Sequence, residues 1–177
     1  IVSRDWSSDV CSSDLDKNFG ASLSLAIYTS ARVLRAVQDG ESLTEALQSV
    51  PSALRPAVQS LTFRALRRGY WACAIIDAHI DKAPSNHVFN LIWVTIALLK
   101  GTNWDPAYHD HTLVSEAVNA CKLDKKLIYA KGLVNAVLRK IVGSKSLLDD
   151  FPEGDFPSYP DWWIEKLTKS YGDGAQI

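Results

Sequence analysis

The segment from Ala130 to Ile141 carries an apolar face that repeats with the period of an α-helix. Its members follow one another at three- and four-residue steps: Ala130, Leu133, Val134, Val137, Leu138 and Ile141. Lys131, Asn135, Arg139 and Lys140 lie off this face. The pattern predicts a helix with one side buried and the other side in water, and such a helix is stable only when other elements cover its apolar side.

The rest of the chain reads as further helices joined by short loops. Ser42 and Glu45 have capping-box spacing, and Gly40 and Gly101 are predicted helix stops. Apolar periodicity predicts helices at 20–39, 42–48, 56–69, 70–81, 85–100, 113–121, 130–141 and 161–171. In the last helix, Trp162 or Trp163 and Leu167 are expected to dock on the bundle. No segment has the pattern of a strand. We therefore predict an all-α fold, a bundle of about seven to nine helices.

Composition places the chain among ordinary globular proteins, with 47% hydrophobic and 22% charged residues. The apolar run from Val88 to Leu99 falls short of the roughly 20 residues that cross a bilayer, so we expect no membrane span. Cys11, Cys73 and Cys121 lack the spacing of a zinc site or a disulfide framework. A reducing cytoplasm fits this cysteine usage best.

The first fifteen residues differ from everything that follows them. They are rich in Ser and Asp, have no helical period, and from Asp5 to Leu15 resemble the translation of a sequencing-library adapter. We interpret residues 1–15 as an artefact; the alternative is a disordered native tail. Without them the formal net charge changes from −1 to +1.

Motifs for catalysis are absent from the sequence. It contains no phosphate-binding loop, no HExxH zinc motif and no GxSxG nucleophile turn. His109 and His111, with His87 and Asp105 nearby, are interpreted as loop and helix-cap residues rather than metal ligands. Cys73 and Cys121 fall on apolar helical faces, as buried small hydrophobes do. We therefore expect no catalytic residue, no metal and no cofactor in this chain.

Basic residues are distributed unevenly. Arg64, Arg67 and Arg68 have the spacing of one helix face, and Arg32 and Arg35 repeat a three-residue step. Residues 122–145 contain seven basic and one acidic side chain, whereas residues 146–177 contain two basic and seven acidic ones. Such clusters suit the phosphates of a nucleic acid, although a solvated helix face gives the same pattern.

Three blocks resemble the NusB-like domain: residues 37–43 (VQDGESL), 59–68 (QSLTFRALRR) and 129–140 (YAKGLVNAVLRK). Residues 159–171 (YPDWWIEKLTKSY) resemble the segment that joins this domain to the catalytic domain in the RsmB (Sun/Fmu) family of 16S rRNA cytosine-C5 methyltransferases. The resemblance implies an RNA-binding domain over 16–150 and a linker with a helix over 151–177. The methyltransferase domain, with its S-adenosylmethionine site, would lie beyond Ile177.

The resemblance also implies which residues contact RNA. They are the basic residues of the second and third blocks: Arg64, Arg67, Arg68, Lys131, Arg139 and Lys140. The first helix departs from the family, because the position of its usual Arg-x-x-Ala pattern, near Ala26, is apolar. Gly132 and Asn135 could admit the RNA backbone, or could serve helix packing and local hydrogen bonding instead.

The expected function is to position small-subunit rRNA for methylation by the chain's own methyltransferase domain. Two alternatives stay open. One is a free-standing antitermination factor that binds RNA and regulates transcription, against which the Trp162-Trp163 tail argues. The other is a helical protein-interaction module that does not touch RNA.

Overall fold

The computed structural model describes residues 22–100, 108–143, 151–152 and 159–172. In these ranges the α-helices are α1 (Leu23–Gln38), α2 (Leu43–Gln48), α3 (Arg55–Arg67), α4 (Gly69–His79), α5 (Asn86–Ala97), α6 (Asp110–Lys122), α7 (Lys131–Gly143) and α8 (Asp161–Tyr171). A short 3-10 helix, Ile128–Ala130, leads into α7. No strand occurs among the described residues, and the predicted all-α class is confirmed.

Helix α5 lies at the centre of the bundle. All nine positions from Leu91 to Leu99 are buried, and α1, α3, α4, α6 and α7 all contact this helix. A helix that is apolar on all sides has this position in a soluble protein, because no face of it gains from contact with water. The apolar run from Val88 to Leu99 is thus a core helix, as its length predicts.

Local signals fix the ends of α1 and α2. The Ser22 hydroxyl accepts a hydrogen bond from the backbone N–H of Leu25, and Gly40, with φ 101°, turns the chain after α1. Ser42 and Glu45 form the predicted capping box, each side chain accepting from the other residue's backbone N–H at 3.3 Å. These contacts satisfy amides that the first helical turn leaves without partners.

One polar pair ties α1 to the central helix. Asn90 is completely buried on α5, and its amide exchanges two hydrogen bonds with the amide of Gln38, at 2.9 and 3.2 Å. A buried amide without such partners would destabilise the fold. The pair therefore fixes the end of α1 against the start of α5.

Helix α8 has the predicted bounds but does not pack as predicted. We expected Trp162 or Trp163 to dock on the bundle with Leu167, yet no residue of α8 is buried, and the two tryptophans are 60% and 36% exposed. Their rings contact neighbours on the same segment: Lys166 Nζ lies 5.7 Å from the Trp162 ring, and Tyr159 lies 4.5 Å from that of Trp163. The docking prediction is wrong for both tryptophans.

Phe151, in the segment predicted as a linker, contacts the bundle. The indole N–H of Trp71, on α4, donates a hydrogen bond of 2.8 Å to the backbone carbonyl of Phe151, which packs partly against the core. The predicted stop at Gly101, the adapter-like stretch and the middle of the Pro-rich loop lie outside the described residues.

Two glycines give opposite expectations for replacement by alanine. A Cβ on Gly69 would lie 3.0 Å from the ring of Trp93, which is held in place by a hydrogen bond from its indole N–H to the Ala65 carbonyl. A Cβ on Gly132 would meet no described atom within 4 Å. We expect Gly69→Ala to lower the free energy of unfolding by about 1 kcal/mol, because overpacking outweighs the gain in helix propensity.

Gly132→Ala should raise the free energy of unfolding by up to about 1 kcal/mol, because only the gain in helix propensity applies there. Urea denaturation followed by circular dichroism measures both changes. Shifts of the same sign in the two variants would contradict this account of the packing.

Candidate nucleic-acid interface

The three arginines of the second block do not form one exposed face. Arg67 is exposed, Arg64 is half-buried and Arg68, which follows the last residue of α3, is only 6% exposed. The Arg68 guanidinium donates from Nη1 to the carbonyls of Ala97 and Lys100, both at 2.6 Å. It also lies 5.8 Å from the ring of Trp71. The prediction of an exposed Arg68 is therefore wrong.

The reason lies at the end of the central helix. The last carbonyl groups of an α-helix have no partner within the helix, and those of a buried helix cannot bond to bulk water. Arg68 supplies the missing donors at the end of α5. Its charge serves the fold, and we remove it from the candidate phosphate contacts.

Neighbouring arginines on α3 allow a matched test of this assignment. Arg68→Ala leaves the carbonyls of Ala97 and Lys100 without their guanidinium donor, and we expect it to lower the free energy of unfolding by about 1–3 kcal/mol. Arg67→Ala removes an exposed side chain and should change the same quantity by less than about 0.5 kcal/mol. Urea denaturation compares the two variants, and equal losses would refute the capping role.

The cations of α7 are all exposed. Lys131, Arg139 and Lys140 lie outside the buried face, and Arg139 Nε donates to Asn135 Oδ1 at 3.1 Å. At about 100° per residue, Arg139 lies near the middle of the exposed arc, and Lys131 and Lys140 lie at its edges, about 180° apart. The predicted apolar face is confirmed except at its edge, where Leu133 is 42% exposed.

The residues between the cations on the exposed arc of α7 include small ones. Gly132 and Ala136 are exposed on it, and no described neighbour would touch a Cβ at Gly132. Helix packing against the described residues is therefore not the reason for glycine at this position. In the described part of the chain, no ion pair engages Arg67, Lys131 or Lys140.

A second basic surface is built from three separate parts of the chain. The hydroxyl of Tyr28, on α1, donates to Asp124 Oδ2 at 3.2 Å, and the guanidinium of Arg32 lies 5.9 Å from the Tyr28 ring. At the start of α5, Ser85 Oγ lies 3.3 Å from the hydroxyl of Tyr129. We call this group the Tyr129 surface: Tyr28, Arg32, Ser85, His87, Asp124, Lys125, Lys126 and Tyr129.

Asp124 is the acidic member of the Tyr129 surface and is held by its neighbours. The backbone N–H of Lys126 donates to Asp124 Oδ1 at 2.8 Å. This bond is the largest cause of a lowered pKa of Asp124, and the bond from Tyr28 and the nearby charges of Lys126 and His87 also lower it. Burial, together with the Asp124 charge, raises the pKa of Tyr28.

Sequence reasoning recognised the basic stretch from Lys122 to Lys145 but did not select Lys125, Lys126 or Tyr129 as site residues. The signal for these residues was the excess of basic over acidic side chains in that stretch. Arg32 was noted only for its three-residue step with Arg35, and nothing local placed it in this surface, because the contact between α1 and the segment after α6 joins residues almost one hundred positions apart.

The lowered pKa of Asp124 predicts a pH dependence of stability. A carboxyl whose pKa is lower in the folded protein stabilises it above the unfolded-state value of about 3.9, and this contribution disappears as the pH falls through the folded pKa. We expect wild type to be more stable than Asp124→Asn at pH 6, with the difference shrinking below about pH 4. Urea denaturation across this range measures it, and a difference independent of pH would contradict the assignment.

The other candidate groups of the sequence give no reactive site. Burial raises the pKa of the thiols of Cys73 and Cys121, which disfavours the nucleophilic thiolate. The rings of His109 and His111 stack at 5.6 Å, and no cluster of metal-ligating side chains occurs among the described residues. Within the same residues, no helix has the length and apolar character needed to span a bilayer.

Comparison with known proteins gives one informative similarity. No family model matches the chain. A protein of Coxiella burnetii (strain RSA 493 / Nine Mile phase I), the "Probable ribosomal RNA small subunit methyltransferase B", is 31% identical over 153 residues. The similarity supports the resemblance of this chain to the RsmB family. It covers 82% of this chain but 34% of the relative, so the chain spans about a third of the length of the protein that it matches.

Proposed function

We propose that this chain is the NusB-like RNA-binding domain of a small-subunit rRNA cytosine-5 methyltransferase, and that it positions rRNA for a catalytic domain outside this sequence. The observation that carries the proposal is the exposed arc of α7, where Lys131, Arg139 and Lys140 surround small side chains. Cations on such a surface can approach a phosphate backbone closely. Their contacts fix the register of the RNA without reading its sequence.

Similarity to the methyltransferase of Coxiella burnetii supports this proposal over a free-standing antitermination factor. The family that the chain resembles uses S-adenosylmethionine as its cofactor. On this proposal the cofactor belongs to the methyltransferase domain. The chain's own residues contribute binding and orientation of the RNA.

The exposed aromatic side chains of α8 support a contact with another domain of the same protein. Its tryptophans and Tyr171, which is 76% exposed, leave an aromatic surface uncovered by the described bundle. On this proposal the surface contacts the methyltransferase domain, since burial of such aromatic side chains dominates the energetics of many interfaces.

A salt titration tests the RNA-binding role. The triple variant Lys131→Ala, Arg139→Ala, Lys140→Ala should bind a small-subunit rRNA fragment more weakly. Its plot of log affinity against log salt concentration should be flatter by about 2, because each lost phosphate contact removes roughly 0.7 from the slope for unpaired RNA. Filter binding at several salt concentrations measures both quantities.

A control triple variant removes the same charge elsewhere: Lys82→Ala, Lys166→Ala, Lys169→Ala, all exposed residues. We expect it to retain nearly the wild-type slope. Equal flattening of the slope in both triple variants would contradict the assignment of phosphate contacts to α7. Wild-type affinity no better than that of an equally charged unrelated protein would favour the protein-interaction module.

A further inference from the structure

Tyr129 presents an aromatic ring to solvent from a rigid support. The residue is 71% exposed, although its neighbours Leu127 and Ala130 are 4% and 1% exposed and anchor the 3-10 helix in the core. Backbone hydrogen bonds from Leu127 to Asp124 and from Ala130 to Leu127, both 2.9 Å, hold this turn. A large ring fixed in water without a described partner over its face is available for a ligand.

The hydroxyl of Tyr129 contacts Ser85, whereas the ring is exposed to solvent. Ser85 Oγ lies 3.3 Å from this hydroxyl, which ties one edge of the ring to the start of α5. Fixing the ring beforehand lowers the conformational entropy that a ligand must remove on binding.

Cations flank the ring on both sides along the chain. Lys125 and Lys126 precede Tyr129, Lys131 follows it, and all three are exposed. The nearby acidic group, Asp124, already accepts hydrogen bonds from Tyr28 and from the Lys126 backbone. The surroundings of the ring therefore attract a polyanion.

We propose that Tyr129 stacks on an unpaired base, so that the Tyr129 surface binds single-stranded RNA in preference to duplex RNA. The inference rests on the proposed RNA-binding function and adds the structural class of the RNA. An exposed aromatic ring stacks on a base only where the base face is accessible, and a duplex hides those faces. A protein partner fits less well, because protein interfaces are depleted of lysine.

The test compares one substitution on two RNAs. Tyr129→Ala should weaken binding to an unpaired RNA by about fivefold to a hundredfold, the usual effect of losing one stacked base, and should leave binding to a duplex of the same sequence unchanged. Tyr129→Phe keeps the ring but loses the contact with Ser85, so it should lose much less affinity for the unpaired RNA than Tyr129→Ala does, and none for the duplex. Tyr70→Ala is the control, because that tyrosine is also exposed but lies on α4, outside the Tyr129 surface.

Salt dependence separates this inference from the phosphate contacts of α7. Stacking releases no counterions, so the lines for wild type and Tyr129→Ala should run parallel when log affinity is plotted against log salt concentration. A circular dichroism spectrum matching that of wild type verifies that the variant is folded.

Each outcome decides between the two proposals. Unchanged affinity of Tyr129→Ala for unpaired RNA, or an equal loss for both RNAs, overturns the stacking role; the RNA-binding function still stands if the α7 triple variant flattens the slope. Wild-type protein that binds neither RNA overturns both proposals, and would turn attention to a protein partner for this surface.

Discussion

The burial of α5 from Asn90 to its last residue, Ala97, is the constraint on which the rest of the bundle depends. A helix surrounded by five others gains from every apolar side chain that it carries, but its terminal carbonyls lose water. The guanidinium of Arg68 resolves this conflict with two hydrogen bonds of 2.6 Å to the end of α5. The turn between α3 and α4 is thereby fixed to the end of the core helix, and Trp71 is placed where its ring meets both Arg68 and Lys100.

Packing and ion pairing decide which cations remain exposed. Arg68 points inward, and Arg35 makes a two-point contact with Asp39 at 2.7 and 2.8 Å, so neither guanidinium faces water unopposed. Arg67, the α7 cations and the lysines of the Tyr129 surface remain exposed. The net charge of the chain is near zero, yet its surface has a local excess of positive charge. Packing buries Arg68, Asp39 pairs with Arg35, and the other cations stay together at the surface.

The helices could be predicted because their signals are local. The capping box of α2, the glycine after α1 and the heptad-like spacing of α7 each act within one or two helical turns. The surface could be predicted only in part, because it depends on distant contacts. Arg67 and Arg68 are adjacent in sequence and equally basic, yet the unsatisfied end of α5, almost thirty residues away, buries one of them and leaves the other exposed. Tyr28 and Asp124 likewise meet only through the packing of α1 on α6.

On the proposed RNA-binding function, stability and binding compete at the exposed surface of α7. Glycine at position 132 weakens a helix relative to alanine, and the described neighbours leave open space where a side chain would stand. On the proposed RNA-binding function, this glycine lets the ligand approach the backbone, and the cations beside it favour a polyanion. Arg139, in the middle of this arc and oriented by Asn135, is then the side chain best placed to meet a phosphate. On the same proposal the small residues and the cations of α7 act together: the former leave room for a nucleic acid and the latter attract its phosphates.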